Sequence, residues 1–131
     1  MSTQSHHFSV DQMIKSIETW LITGKLNPEI LAENFKFTSP FWESNDRTAF
    51  IAKFQDPTEY QKTSLSNIVK FDPIIRLKSS EGNHFALVLQ YHTKNGHSVW
   101  ETVLGNVQEG KLSELRSIYD LAETKKAHNL K

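Results

Sequence analysis

The chain of 131 residues contains no cysteine, which excludes disulfides, thiolate metal sites and cysteine nucleophiles. It has no excess of either charge: Lys plus Arg and Asp plus Glu each number 15, so the formal net charge is zero. No basic run exceeds Lys125-Lys126, so nucleic acid and anionic membrane surfaces are poor partners. No apolar stretch approaches the roughly 18 residues of a membrane span. The opening segment, MSTQSHHFS, has neither the charge nor the apolar core of a signal peptide. The expectation is a soluble, cytoplasmic protein. Glycine and proline are sparse, at 5 and 4, and no repeat, linker or low-complexity segment divides the chain. One domain over residues 8–122 is expected, between a flexible leader (1–7) and a polar tail (123–131). A chain of this length buries about two-thirds of its unfolded surface.

Helical signals come first. Ser9 and Gln12 fit a capping box, and Phe8 and Met13 are spaced as a hydrophobic staple. Val10, Met13, Ile14, Ile17, Trp20 and Leu21 form one stripe at helical spacing, and Gly24 is a stop, so a helix spans roughly 10–23. Asn27-Pro28 starts a short helix over about 28–34. Phe35 to Ser39 alternates as a short strand ended by Pro40. Asp46 caps a third helix, and Asp56-Pro57 begins another turn or two. From Ser64 the chain is strand-rich, and Pro73 marks a bulge, a bend or an edge because it cannot donate to a ladder. Helices followed by antiparallel strands imply an α+β fold, with N-terminal helices packed on the concave face of a curved antiparallel sheet.

The segment His84–Val107 carries most of the functional argument. Asn95-Gly96 suits a two-residue type I′ turn, which pairs Lys94 with His97 and fixes the register beyond it. One face then carries Phe85, Leu87, Leu89 and Tyr91 with Trp100, Thr102 and Leu104. The other carries Ala86, Val88, Gln90 and His92 with Val99, Glu101 and Val103. For the next hairpin, a three-residue loop with left-handed Gly110 places Leu115, Ser117 and Tyr119 on the face of Glu101. A two-residue turn would instead place Glu114 and Arg116 among valines, which disfavours it.

In this register Gln90, Glu101 and Ser117 lie side by side, with His92, Val99 and Tyr119 in the next row. A carboxylate desolvated by valines and a leucine has a raised pKa and suits general acid/base work. Glu101 is the candidate acid/base, with Gln90 and Ser117 orienting it or holding a substrate oxygen. The alternative, a solvated glutamate near a hairpin tip, stands beside this reading. Ser39, Trp42 and Tyr119 are candidates to shape the pocket. Trp42 serves equally as a loop anchor, and Tyr119 either meets a ligand or simply packs. His92 reads as a satisfied strand histidine or a proton carrier.

Thr23-Gly24-Lys25-Leu26, the run Leu31 to Pro40, Arg47 to Ile51, and Gly110-Lys111-Leu112 through Asp120 together resemble the nuclear transport factor 2-like superfamily, which includes SnoaL-like cyclases and ketosteroid isomerases. The resemblance implies a cone: helices over a bent sheet, a pocket between them, and often a dimer. It implies no specific reaction. Where the isomerases carry a proton-abstracting aspartate before a proline, this chain has Ser39. Their oxyanion-binding tyrosine falls near Ile17, and its partner acid near Gly105. Steroid-type isomerisation by the usual route is therefore not expected.

Two functions compete. The first is a small-molecule binding protein for an apolar or partly apolar ligand, acting as an isomerase, dehydratase or cyclase if catalytic. The second is a non-catalytic dimeric protein-interaction module. The face carrying Leu87, Leu89, Tyr91, Trp100 and Leu104 is the expected homodimer surface, since so large an apolar patch calls for a cover. No cofactor is implied. No metal site is expected, because adjacent His6 and His7 in a loose leader lack convergent geometry. There is no phosphate loop and no nucleophile elbow.

Overall fold

A computed structural model describes residues 7–129, and for Ser64 its backbone alone. Residues 1–6 of the expected leader, His6 among them, and the last two residues lie outside that range. Helix α1 spans Val10–Thr23, with the expected capping box closed by Ser9 and Gln12. Gly24 ends it with φ of 77°, a left-handed conformation that glycine adopts without strain. The helix expected over 28–34 is only a 3-10 turn, Pro28–Ile30, and strand β1 begins at once over Leu31–Thr38. Leu31 and Leu112 pair across two strands and are both almost fully buried, so tertiary pairing overrides the local helical signal.

After β2 (Glu43–Ser44), helix α2 covers Arg47–Gln55 and α3 covers Pro57–Gln61, each capped by the expected aspartate. Arg47 donates to the carbonyls of Leu31 and Pro28 at 3.1 and 2.9 Å, fixing α2 to the start of β1. Strands β3 (Ile68–Lys78), β4 (His84–Thr93), β5 (Ser98–Gln108) and β6 (Lys111–Tyr119) complete one sheet in the order β2-β1-β6-β5-β4-β3. Pro73 sits where it is tolerated, beside a register shift on the edge strand β3. The sheet is antiparallel except where β1 runs parallel to β6.

Both hairpin turns differ from the sequence reading. In the β4–β5 hairpin, Tyr91 pairs with Val99 and Leu89 with Glu101, one residue out of the expected register. The loop has three residues, Lys94 to Gly96: Thr93 N–H donates to His97 O at 2.9 Å, and only Gly96 has positive φ. Asn95 does not take the second positive φ that a type I′ turn demands. Its side chain instead accepts from the Thr93 hydroxyl and donates to Lys126 O. The β5–β6 turn has two residues, with Glu109 and Gly110 both at positive φ and Gln108 paired with Lys111. A bulge at Asn106/Val107 then shifts the register by one. Leu115, Ser117 and Tyr119 therefore still share a face with Glu101 and Val103, as expected, although Glu101 now faces Tyr119 and Ser117 faces Val103.

A one-residue slip exchanges the two faces of a strand. The helix-covered face of β4 thus presents Phe85, Leu87, Leu89 and Tyr91, all buried, against Met13, Ile17 and Trp20 of α1 and Phe50 and Phe54 of α2. This corrects the expected dimer surface. Leu87, Leu89 and Tyr91 belong to the core, while Trp100 and Leu104 lie on the outer face at 57% and 38% exposure. Gly105 is explained by the same register, because a Cβ there would overlap the ring of Phe85 on the facing strand.

As far as Asn129, the expected polar tail also carries regular structure. Asp120 caps helix α4, Leu121–Ala127, which buries Thr124 and Ala127 against the sheet. Its charged residues, Glu123, Lys125 and Lys126, hid a short helix whose one buried side is made by Thr124 and Ala127.

Candidate functional site

Between the helices and the sheet lies a cavity of about 250 Å³, partly open to solvent. The floor comes from β4, β5 and β6 through Tyr91, Glu101, Val103, Leu115, Ser117 and Tyr119. Trp20 of α1, Lys53 and Phe54 of α2, and Phe37, Ser39 and Trp42 from β1 and the loop after it supply walls and mouth. Five of the six residues singled out in the sequence therefore converge: Ser39, Trp42, Glu101, Ser117 and Tyr119. Gln90 does not. It pairs with Trp100 on the outer face, displaced there by the longer β4–β5 loop.

Glu101 is half-buried, and its carboxyl is held in apolar surroundings. Burial pushes its pKa up to about 7 from the ordinary 4.5, a shift that a hydrogen bond from Ser117 partly offsets. Among the described residues, no Lys, Arg or His forms an ion pair with it. Near neutral pH such a group holds or releases a proton with small cost in either direction. Burial also raises the pKa of Tyr119, so it remains a neutral phenol.

Ser39 and Trp42 are tied to each other. The Ser39 hydroxyl donates to Trp42 O at 2.8 Å, and Trp42 N–H donates back to Ser39 Oγ at 3.2 Å. The Trp42 ring packs 4.6 Å from Phe37 and stacks on Phe50, and the Lys53 ammonium lies 4.8 Å from its centroid. Trp42 is thus both loop anchor and pocket wall, and Ser39 acts mainly by holding it.

Sequence reading missed the α4 side of the cavity. Asn67 Nδ2 donates to Ala127 O and also meets His128 Nδ1 at 3.1 Å, which leaves the ring proton on Nε2. That nitrogen lies 3.0 Å from the Tyr91 hydroxyl. Thr124, which lines the cavity beside Tyr91, donates its hydroxyl to Asp120 O at 2.7 Å. Burial lowers the His128 pKa and raises that of Tyr91, so both stay neutral near pH 7. The chain of bonds fixes α4 over the sheet. Its one sequence signal was a histidine just beyond the aspartate-capped segment 120–127.

His92 falls on the outer face between Ser98 Oγ and Asp72 Oδ2, each at 2.8 Å. Three such groups suggest a hydrolytic triad, but the site lacks the rest of one. It stands on the outer face of the sheet, and none of the three residues lines the cavity.

No family model matches the chain, and no curated protein matches it. Solved structures do. An NTF2-like protein of unknown function from Cytophaga hutchinsonii aligns at TM-score 0.61 and 19% identity, covering 92% of this chain and 95% of that one. A hypothetical protein with a ketosteroid isomerase-like fold from Catenulispora acidiphila, solved in complex with trimethylamine, aligns at 0.65 and 14% identity over 92% and 94%. A de novo designed protein with a curved β-sheet aligns at 0.65 and 15% identity over 98% and 96%. The chain has the NTF2-like, ketosteroid isomerase-like fold. A designed protein shares that architecture, so function must be argued from the cavity.

Proposed function

We propose that this NTF2-like cone binds a small, mostly apolar molecule in the cavity and exchanges a proton with it through Glu101. One observation carries the reading: a carboxyl with a pKa of about 7 lies in an apolar hollow that opens to solvent. Ser117 orients the carboxyl, while Tyr119, Trp42 and Ser39 shape the space around it. Proton transfers such as isomerisation, dehydration or cyclisation fit one acid/base group. The usual steroid route is not part of this reading, because the resemblance puts its three functional groups at Ser39 and near Ile17 and Gly105. Ligand-observed NMR with a library of neutral aromatic fragments tests the reading. Several fragments should bind, and a Val103→Trp variant that fills the hollow should displace them. Binding unchanged by that variant would place the site elsewhere.

A second reading, a dimeric interaction module, draws on the outer face. Trp100 and Leu104 on β5, Ile75 and Leu77 on β3, and Ile118 on β6 are exposed together there. Adjacent exposed apolar side chains of this size support a two-fold sheet-to-sheet homodimer. Trp100→Glu is expected to give monomers in size-exclusion chromatography coupled to light scattering. An unchanged mass would remove the dimer. Among the described residues no helix is long and apolar enough to cross a membrane.

A further inference from the structure

Among the described residues the Glu101 carboxyl inside the cavity has no ion-pair partner. Glu101 supplies a carboxylate with about four acceptor positions, and Ser117 is the side chain that fills one of them. Two cations line the same cavity, and both are otherwise engaged. Lys62 is exposed and paired with Glu59 at 2.9 Å, and Lys53 lies over Trp42. Both come from the helical side, whereas Glu101 lies in the middle of the sheet between Leu89 and Tyr119.

The walls match this demand. Phe37, Trp42, Phe54, Tyr91 and Tyr119 line the space around the carboxylate. The faces of such rings attract cations, most strongly where water is excluded. The chain already uses this attraction at the rim, where the Lys53 ammonium is held 4.8 Å from the Trp42 centroid. A buried carboxylate without a counter-ion is costly, and an incoming fixed positive charge removes that cost.

We propose that the cavity takes a small organic cation, a tertiary or quaternary ammonium with an apolar body, seated with its charge against Glu101 and the aromatic walls. The inference rests on the cavity being a ligand site and is independent of any reaction there. The volume of about 250 Å³ suits a head group and one ring. The raised pKa of Glu101 adds a pH dependence: a fixed cation binds the ionised carboxylate, so affinity rises as pH passes through about 7. The groups facing Glu101 are Tyr91 from β4, Tyr119 from β6, Lys53 from α2, and Lys62 just after α3. Both tyrosines are shifted upward and stay neutral over this range, and His128 contacts Tyr91.

Calorimetry of the full chain with benzyltrimethylammonium, benzyl alcohol and phenylacetate tests this. At pH 8 the ammonium should bind about tenfold tighter than the alcohol. That preference should vanish in Glu101→Gln, and in the unaltered protein at pH 5.5, an arm that needs no variant to fold. The alcohol should be indifferent to both changes. Tighter binding of phenylacetate, or an ammonium affinity unmoved by pH and by Glu101→Gln, overturns the cation assignment and leaves the ligand site standing. Failure of all three probes to bind overturns the ligand site as well.

Discussion

Trp100 and Glu101 are consecutive residues of β5, yet they live in different solvents. The indole is 57% exposed on the outer face, while the carboxyl next to it is desolvated enough to hold its proton near neutral pH. The two faces of the sheet have similar compositions, each with leucine, valine and at least one large aromatic. They differ in cover. Helices α1, α2 and α4 close over the inner face, and no described element packs on the outer one. Apolar content along a strand therefore does not reveal which side is core; the packing partner decides that.

The sharpest way to break this contrast is to truncate the same residue type on each face. Leu87→Ala, at a position 2% exposed, is expected to cost about 2–5 kcal/mol in denaturant unfolding. Leu104→Ala on the outer face should cost less than about 1 kcal/mol under conditions where the protein is monomeric. Equal losses would mean the faces are equally buried.

Next in size is the pH dependence contributed by Glu101. Its folded pKa lies above its unfolded value, so the unfolded chain releases this proton first as pH rises. The stability linked to it is fully present below about 4.5 and is lost by about 7. The loss is on the order of 3 kcal/mol. Glu101→Gln should be folded and should flatten the unfolding free energy across that window. A variant with the same slope as the parent would place the titration in other groups.

The smallest effect sharpens the register. Gly105→Ala puts a methyl into the Phe85 ring and should cost about 1–3 kcal/mol. Most of that loss should be recovered in the double variant with Phe85→Leu. Were β4 in the register first expected, Gly105 would face Ala86, and the single substitution would be nearly silent.

Much of this fold was legible in the sequence because local chemistry specified it. The capping box at Ser9, the aspartate caps at 46 and 56, the stop at Gly24 and the proline bulge at 73 all form as read. The turns were harder. A glycine marks where positive φ is needed but not how many residues the loop holds. Asn95 lies in the turn as expected but without the positive φ of a two-residue loop, because its amide bonds the C-terminal helix, a contact between residues 31 positions apart. That one error moved Gln90 out of the cavity and drew Leu87, Leu89 and Tyr91 into the core. At the second hairpin a bulge cancelled the opposite error, which is why Ser117 and Tyr119 were placed on the correct face. His128 and Thr124 were invisible for a different reason: a short, charged helix shows its apolar side only when it is docked.

The proposed chemistry depends on the ionisation of one side chain. A ¹³C-detected NMR titration of the Glu101 carboxyl, assigned by comparison with Glu101→Gln, measures it without knowledge of any ligand. A midpoint near 7 is expected, moving down when benzyltrimethylammonium is bound. A midpoint near 4.5, unchanged by the ammonium, would contradict both the desolvated carboxyl and the chemistry built on it.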